Sequence, residues 1–325
     1  MIITKTPYRI SLFGGGTDYP EWYSKNGGEI ISTTIDKYIY ISCRELPPFF
    51  NHKHRIVYSK IENVKSTNKI KFRVIRKAIL SHKINNGLEI HYDGDLPAKS
   101  GMGSSSSFSV GLLNAFSTFS KKKITKKELA NKSIFFEHKI LKEVVGIQDQ
   151  IAAAYGGFNS IKIFKNGKFI IKPITKNISD LSDLNQNLFL VYTKIKRTAH
   201  VVAKSYVKKL SSEKRENMKL ISDTVSECKQ IFIKKRFDEI GPLLNQSWMA
   251  KKNLSSIVSN KNLDEIYNYG IKSGATGGKI LGAGGGGFFL FYVPKKNHKK
   301  FNNNFKNKLI IPFRFSFEGS KILLK

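Results

Sequence analysis

The chain has 325 residues, 40% of them apolar, and carries 56 Lys and Arg against 24 Asp and Glu, a formal net charge of +32. That length supports a sizeable core and divides more naturally into two domains than one. No apolar run is long enough to span a bilayer, and the two distant cysteines, Cys43 and Cys228, do not support a disulfide framework or a four-ligand zinc site. Lysine outnumbers arginine about fivefold and the cations are scattered. Arginine is the residue that reads phosphates and base edges with a bidentate fork, so the charge reads as solvated surface and no nucleic-acid partner is expected. The opening MIITKTPYRISLF has no charged segment leading into an apolar block and a small-residue cleavage site. A cytoplasmic location without a membrane partner is the expectation.

From Met1 to about Phe50, short apolar runs alternate with turns. ISLF, GEIISTTI and YIYISC read as strands, and RIVYS near Arg55 and LEIHYDGDL near Leu88 continue the pattern. The texture then changes. Phe108, Leu112, Leu113, Phe116 and Phe119 recur at helical spacing over 104–119, and Leu129, Phe136, Ile140 and Val144 form the stripe of a second helix over about 127–145. Between Phe158 and Pro173 the Asn166-Gly167 pair predicts a hairpin. A polar stretch over 177–184 reads as a domain junction. Beyond it the sequence predicts a strand (LFLVYT), helices from Ala199 to about Lys272, and strands at FFLFYV and IIPFRFSF. Strands and helices mix in both halves, so the fold class expected is α+β in two domains, 1–180 and 181–325.

Three glycine-rich segments punctuate this pattern. In GDLPAKSGMGSSSSF, Pro97 and Gly101 shape a loop after a strand, and Gly101 and Gly103 remove side chains where backbone must approach a ligand. Ser104 to Ser107 open the following helix, whose first amides lack internal partners; with the helix dipole they make an anion site. The alternative is an ordinary serine N-cap, for which one serine is enough. RISLFGGGTDY joins a strand to a turn through Gly14, Gly15 and Gly16, with Arg9 before it and Asp18 just past it. KILGAGGGGFF lies between strands. Its GAGGGG satisfies GxGxxG formally, but a strand follows where a dinucleotide site needs a helix, and no GxxxxGK[ST], HRD or DFG occurs. Together the three loops suggest backbone packed closely around one ligand between domains.

PYRISLFGGGTDY, LPAKSGMGSSSS and KILGAGGGGF occur in the order and spacing of the three motifs of the GHMP kinases, and the resemblance covers nearly the whole chain. It implies ATP, Mg²⁺ and transfer of the γ-phosphoryl group to a small alcohol or sugar. The implied fold is an N-terminal domain like the second domain of ribosomal protein S5 and a ferredoxin-like C-terminal domain. Within that superfamily FFEHKILKEVVGIQDQIAAAYGGFN, GGGTDY and KIKRTA look most like the D-glycero-D-manno-heptose 7-phosphate kinases. Those enzymes phosphorylate the anomeric hydroxyl to the 1,7-bisphosphate, for nucleotide-activated heptose and cell-surface glycans. A kinase for an unphosphorylated sugar such as fucose or an N-acetylhexosamine shares every motif, and a GHMP-fold sensor without turnover is the non-enzyme alternative. Galactokinases carry Glu-His at the position of Gly15-Gly16, which argues against galactose here.

The resemblance assigns roles residue by residue. Pro97, Lys99, Ser100, Gly101, Met102, Gly103, Ser104, Ser105 and Ser106 would hold ATP. Asp149 would be the catalytic carboxylate near the acceptor hydroxyl; read from the residues alone it could equally cap the helix that begins there. Arg9 would stabilise charge on the transferring phosphoryl group and tune Asp149, its alternative being a surface strand arginine. Glu137 falls on the helical row Ile134, Leu141, Val145, where a carboxylate is costly unless paired or metal-bound; by family position it would hold Mg²⁺ with Ser105. His138 beside it reads as a surface or satisfied core histidine. Gly15, Gly16, Thr17, Asp18, Gly156, Gly284 and Gly285 are assigned to the substrate, with Arg197 on the substrate's own phosphate. The expected partner is a small sugar or sugar phosphate, with a homodimer left open.

Overall fold

The computed structural model describes residues 1–120, 123–195 and 199–325. Its strands are β1 (Ile2–Phe13), β2 (Gly28–Glu45), β3 (His54–Val57), β4 (Ile61–Val64), β5 (Leu88–Gly94), β6 (Phe158–Ile163), β7 (Phe169–Pro173), β8 (Leu188–Tyr192), β9 (Gly277–Ile280), β10 (Phe288–Tyr292), β11 (Leu309–Ile311), β12 (Phe315–Ser316) and β13 (Lys321–Leu324). The first sheet runs β13-β1-β2-β5-β3-β4, with β6 and β12 joined along β2 and β7 paired to β6. The second is antiparallel in the order β11-β8-β10-β9. GEIISTTI and YIYISC are one continuous strand, β2, long enough to serve β1 at one edge and both β5 and β6 at the other. The expected hairpin closes between β6 and β7, where the Phe164 amide donates to Lys168 O at 2.8 Å.

The helix Ser104–Phe119 lies against β1 and β2, and its apolar set from Phe108 to Phe116 is buried. In the second part, helices Arg215–Lys234 and Ile240–Lys252 pack on each other, the latter against β9. The fully buried β10 carries a cluster of aromatic rings, Phe289 and Phe291 against Trp248, Tyr267 and Phe301. Arg215–Lys234 also reaches β1 and β2, so Val225, Cys228 and Ile231 join the first core.

Two expectations change. The helix expected over about 127–145 ends at Phe135, and Phe136–Ile140 forms a wider π-type turn before the chain leaves helical geometry at Lys142, whose φ is 52°. Such turns recur at functional sites. IIPFRFSF divides between the two sheets: β11 pairs with β8, and past Pro312 the chain crosses so that β12 pairs with β2 and β13 with β1. Residues 315–324, grouped by sequence with the second half, thus complete the first sheet.

That return fixes Gly156. Its φ is +70°, and a Cβ there would lie 2.2 Å from the Glu318 carbonyl carbon and 2.3 Å from the Gly319 nitrogen. Gly156 therefore packs the C-terminal backbone against the helix Gln148–Tyr155 instead of facing a substrate. Gly156→Ala should lower stability by about 1–3 kcal/mol, read as a lower midpoint in thermal unfolding; an unchanged midpoint would show that the C-terminal strands can move aside.

Candidate active site

Lys99, Gly101 and Gly103 have φ values of 62°, 85° and 76°, so the segment before the helix Ser104–Phe119 curls through left-handed backbone. Gly103 occupies the N-cap position and no side chain caps the helix, so the serines are not there to cap it. Ser104, Ser105 and Ser106 line a cavity of about 450 Å³ with Lys99, Gly101 and Gly103. Ser107 donates to Pro7 O at 2.8 Å. Ser100 and Met102 are buried beneath the loop, and Pro97 is exposed outside the cavity.

Arg9 is 4% exposed, and each part of its guanidinium has an acceptor. Nε and one terminal nitrogen donate to the two carboxylate oxygens of Asp149, both at 2.6 Å, and the other terminal nitrogen donates to Gly101 O at 2.7 Å. The Arg9 amide also donates to Met102 O at 3.1 Å. Asp149 sits in the first turn of Gln148–Tyr155, but that helix has Ile147 at its N-cap and no side-chain capping bond. The Asp149 carboxylate is committed to Arg9 and faces the cavity.

Asp18 lies beside this pair. It is buried and accepts from the amides of Gly16 at 3.1 Å and Gln148 at 3.2 Å. Burial, and then the nearby charge of Asp149, push its carboxyl up to about 6. A Cβ on Gly146 would lie 1.7 Å from Asp18 Oδ2, so only glycine lets this segment close over the carboxylate. Gly15 and Gly16 line the cavity with Asp18. Thr17 does not; its buried hydroxyl donates to Gly14 O at 2.8 Å and Glu29 O at 3.1 Å and holds the turn.

Glu137 stands behind Ser106 rather than on the cavity wall. Its Oε2 accepts from Ser106 Oγ at 2.9 Å and Gln150 Nε2 at 2.6 Å, while its buried Oε1 has no hydrogen-bond partner among the described residues. Burial pushes its carboxyl up to about 7 against the pull of those donors. It is Ser106, not Ser105, that touches Glu137. His138 is satisfied, its Nε2 lying 2.9 Å from Val145 O.

The third glycine segment contributes differently from its expectation. Lys279, Gly282 and Ala283 line the cavity, and Gly284 and Gly285 do not. A Cβ on Gly284 would lie 2.8 Å from Val258 Cγ1, and the Gly285 amide donates to Val258 O at 2.8 Å. A Cβ on Gly287 would lie 2.1 Å from Ser100 O. Gly287 seats the second domain against the serine loop, whereas Gly284 and Gly285 pack on Val258 within the second half of the chain. Arg197 lies outside the described residues.

Sequence reasoning missed the apolar wall of Phe72, Val74, Tyr92 and Phe108. Phe72 stacks on Phe108 at 5.1 Å, and the buried Glu62 fixes it by accepting from the amides of Lys71 at 2.5 Å and Phe72 at 3.0 Å. It also missed Lys251 and Lys279, which line the opposite, second-domain side. Lys279 opens the third glycine segment, but nothing there separates it from the chain's other lysines.

Residues 69–157 match the description of the GHMP kinases N terminal domain, and residues 228–307 that of the GHMP kinases C terminal. The chain belongs to the GHMP kinases. It is 31% identical over 293 residues to a D-glycero-alpha-D-manno-heptose 7-phosphate kinase of Campylobacter jejuni, covering 87% of this chain and 86% of that protein. A D-glycero-D-manno-heptose 1-phosphate kinase structure from Bacteroides thetaiotaomicron shares the fold with a TM-score of 0.79 at 24% identity, over 100% of this chain and 99% of that one. The mevalonate kinase of Methanococcus jannaschii shares it with a TM-score of 0.72 at 25% identity, over 97% and 98%. The two-domain α+β fold is thus that of the GHMP kinases.

The shift of Glu137 has a sign that can be tested. Between the ordinary carboxyl value of 4.5 and about 7, the folded GHMP kinase holds a proton that the unfolded chain has released. Stability therefore falls as pH rises through that window, and above it the folded state carries the full cost of a buried charge. Without metal ions, Glu137→Gln should raise the melting temperature at pH 8 and lose that advantage by about pH 4.5. A difference that does not change with pH would remove the burial argument.

Proposed function

We propose that this GHMP kinase transfers the γ-phosphoryl group of ATP to the anomeric hydroxyl of D-glycero-D-manno-heptose 7-phosphate, giving the 1,7-bisphosphate. The observation that carries the chemistry is the bidentate Arg9–Asp149 pair, facing the cavity beside the curled serine loop. The similarity to the Campylobacter jejuni heptose 7-phosphate kinase supports the substrate.

In this reading the ATP phosphates lie on the segment 99–106 at the helix N-terminus. The aromatic wall beside it takes the base, whose flat face suits Phe72 and Phe108. The sugar lies toward Gly15, Gly16 and Asp18, where the missing side chains leave room for a larger sugar. Asp149 orients the acceptor hydroxyl. As that oxygen bonds to the γ-phosphorus, the bond to the bridging oxygen of ADP breaks and the hydroxyl proton passes to Asp149. The transition state is loose, so positioning and charge stabilisation supply most of the rate. Arg9 holds the Asp149 carboxylate in a fixed orientation through its two hydrogen bonds. Asp18 accepts from sugar hydroxyls, and Arg197 remains the candidate for the sugar's phosphate.

The unpartnered Oε1 of Glu137 fits an oxygen-seeking divalent cation. Glu137 would hold Mg²⁺ together with the serine-loop hydroxyl it touches, that of Ser106, and the ion when bound neutralises phosphate charge. The raised carboxyl of Glu137 means that a cation competes there with a proton.

An ATP-consumption assay with Mg²⁺ should favour heptose 7-phosphate over heptose, mannose, fucose, galactose and N-acetylhexosamines. Turnover of fucose alone would move the chain toward the fucokinases. Asp149→Asn should keep ATP binding and lower kcat by about 10²–10⁴-fold; near-normal turnover would remove Asp149 from the mechanism.

A further inference from the structure

Lys279 stands out among the lysines. It is 4% exposed, yet it lines the cavity. Its Nζ donates to Leu12 O at 2.7 Å, and that is its one hydrogen bond to the described residues. Half-buried lysines elsewhere have carboxylates: Lys229 pairs with Glu29 at 2.5 Å and Lys252 with Asp264 at 2.7 Å. The charge that acts on Lys279 is instead the like charge of Arg9. A buried ammonium with spare donors, a neighbouring cation and no carboxylate partner among the described residues is costly. The missing counter-charge is one the cavity receives from outside.

We propose that Lys279 binds an oxygen of the phosphoryl group in flight, as the second domain's cation at the reaction centre. The inference rests on the kinase reading above. Lys279 projects from the end of β9 toward β1, where Arg9 holds Asp149. Gly287, seated on Ser100, fixes the third glycine segment against the serine loop. The ammonium therefore belongs to the phosphate that moves between ATP and sugar, not to a phosphate at the sugar's far end. As the bond to ADP breaks and the bond to the sugar oxygen forms, charge on the equatorial oxygens meets Lys279 on one side and the serine-loop amides on the other. Burial and Arg9 push the amine down to about 7 in the unliganded protein. At pH 8 most of the protein then holds Lys279 neutral, and an arriving phosphate must draw a proton onto it.

Two measurements test this. Lys279→Met keeps the length of the side chain and removes the charge; kcat should fall about 10²–10³-fold, with heptose and heptose 7-phosphate affected alike and the KM for sugar little changed. Calorimetry of Mg·ATP binding without sugar, at pH 8 in two buffers of different ionisation enthalpy, should show proton uptake by the wild type and none by Lys279→Met. Uptake absent in the wild type overturns the proposal even if the variant fails to fold. Equal uptake in both proteins, unchanged kcat, or a loss confined to the phosphorylated sugar also overturns it. The kinase reading fails separately, if the wild type neither binds Mg·ATP nor phosphorylates any sugar.

Discussion

Taking a guanidinium out of water costs several kcal/mol unless its donors find acceptors. Arg9 meets that condition with groups from two distant segments, the Asp149 carboxylate and the Gly101 carbonyl. The bonds therefore fix β1, the serine loop and the start of Gln148–Tyr155 relative to one another. A bidentate pair fixes orientation as well as distance, so the cavity-facing carboxylate cannot swing without leaving a buried charge unpaired. The rest of the site follows. Asp18 is positioned by the amides of Gly16 and Gln148, on either side of this clamp, and Glu137 is reached from the same helix through Gln150.

A second constraint is steric. Two glycines are places where two backbones touch: Gly14 on Glu29 O and Gly287 on Ser100 O would each put a Cβ within 2.1 Å of its neighbour. Such contacts cannot relax by a rotamer change. They locate the loops to within the tolerance that phosphoryl transfer needs, where small displacements are expensive. Gly287 matters most for the assembly of the site, because it couples the second domain directly to the serine loop.

This explains what the sequence could and could not reveal. Glycine and serine in GDLPAKSGMGSSSSF encode backbone conformation, which is local, so the loop and its helix were legible. The same local signal misassigned Gly156, Gly284 and Gly285: a glycine announces a close approach without saying what approaches, and here it is Glu318 and Val258. Arg9 and Asp149 are 140 residues apart and no local pattern pairs them; only the family resemblance joined them in advance. The stripe Leu129, Phe136, Ile140, Val144 suggested a longer helix because periodicity does not register the π-type turn that brings Glu137 to Ser106. Lys279 was invisible for the opposite reason. In a chain with 56 Lys and Arg, one more lysine carries no information until its burial is known.

The titrating groups then fall into one pattern. Asp18 and Glu137 are pushed up to about 6 and 7, and Lys279 is pushed down to about 7. In each the first cause is desolvation, so each is a charge removed from water ahead of the partner that would satisfy it. Structural burial alone would favour replacing such groups with apolar ones, since buried charges are poor sources of stability. Asp18 and Lys279 line the cavity and Glu137 stands behind Ser106; on the proposed reading the first carboxylate is matched to hydroxyl donors, the ammonium to a phosphate and Glu137 to a cation. The unliganded protein holds these mismatches in place through the Arg9 clamp and the glycine contacts. Ligands that supply the three complementary charges and donors together would relieve all three costs at once, and a ligand lacking one would leave a buried charge exposed to its neighbours. On the proposed reading, selectivity for a phosphate donor and a hydroxyl-rich acceptor follows from where the desolvated charges sit.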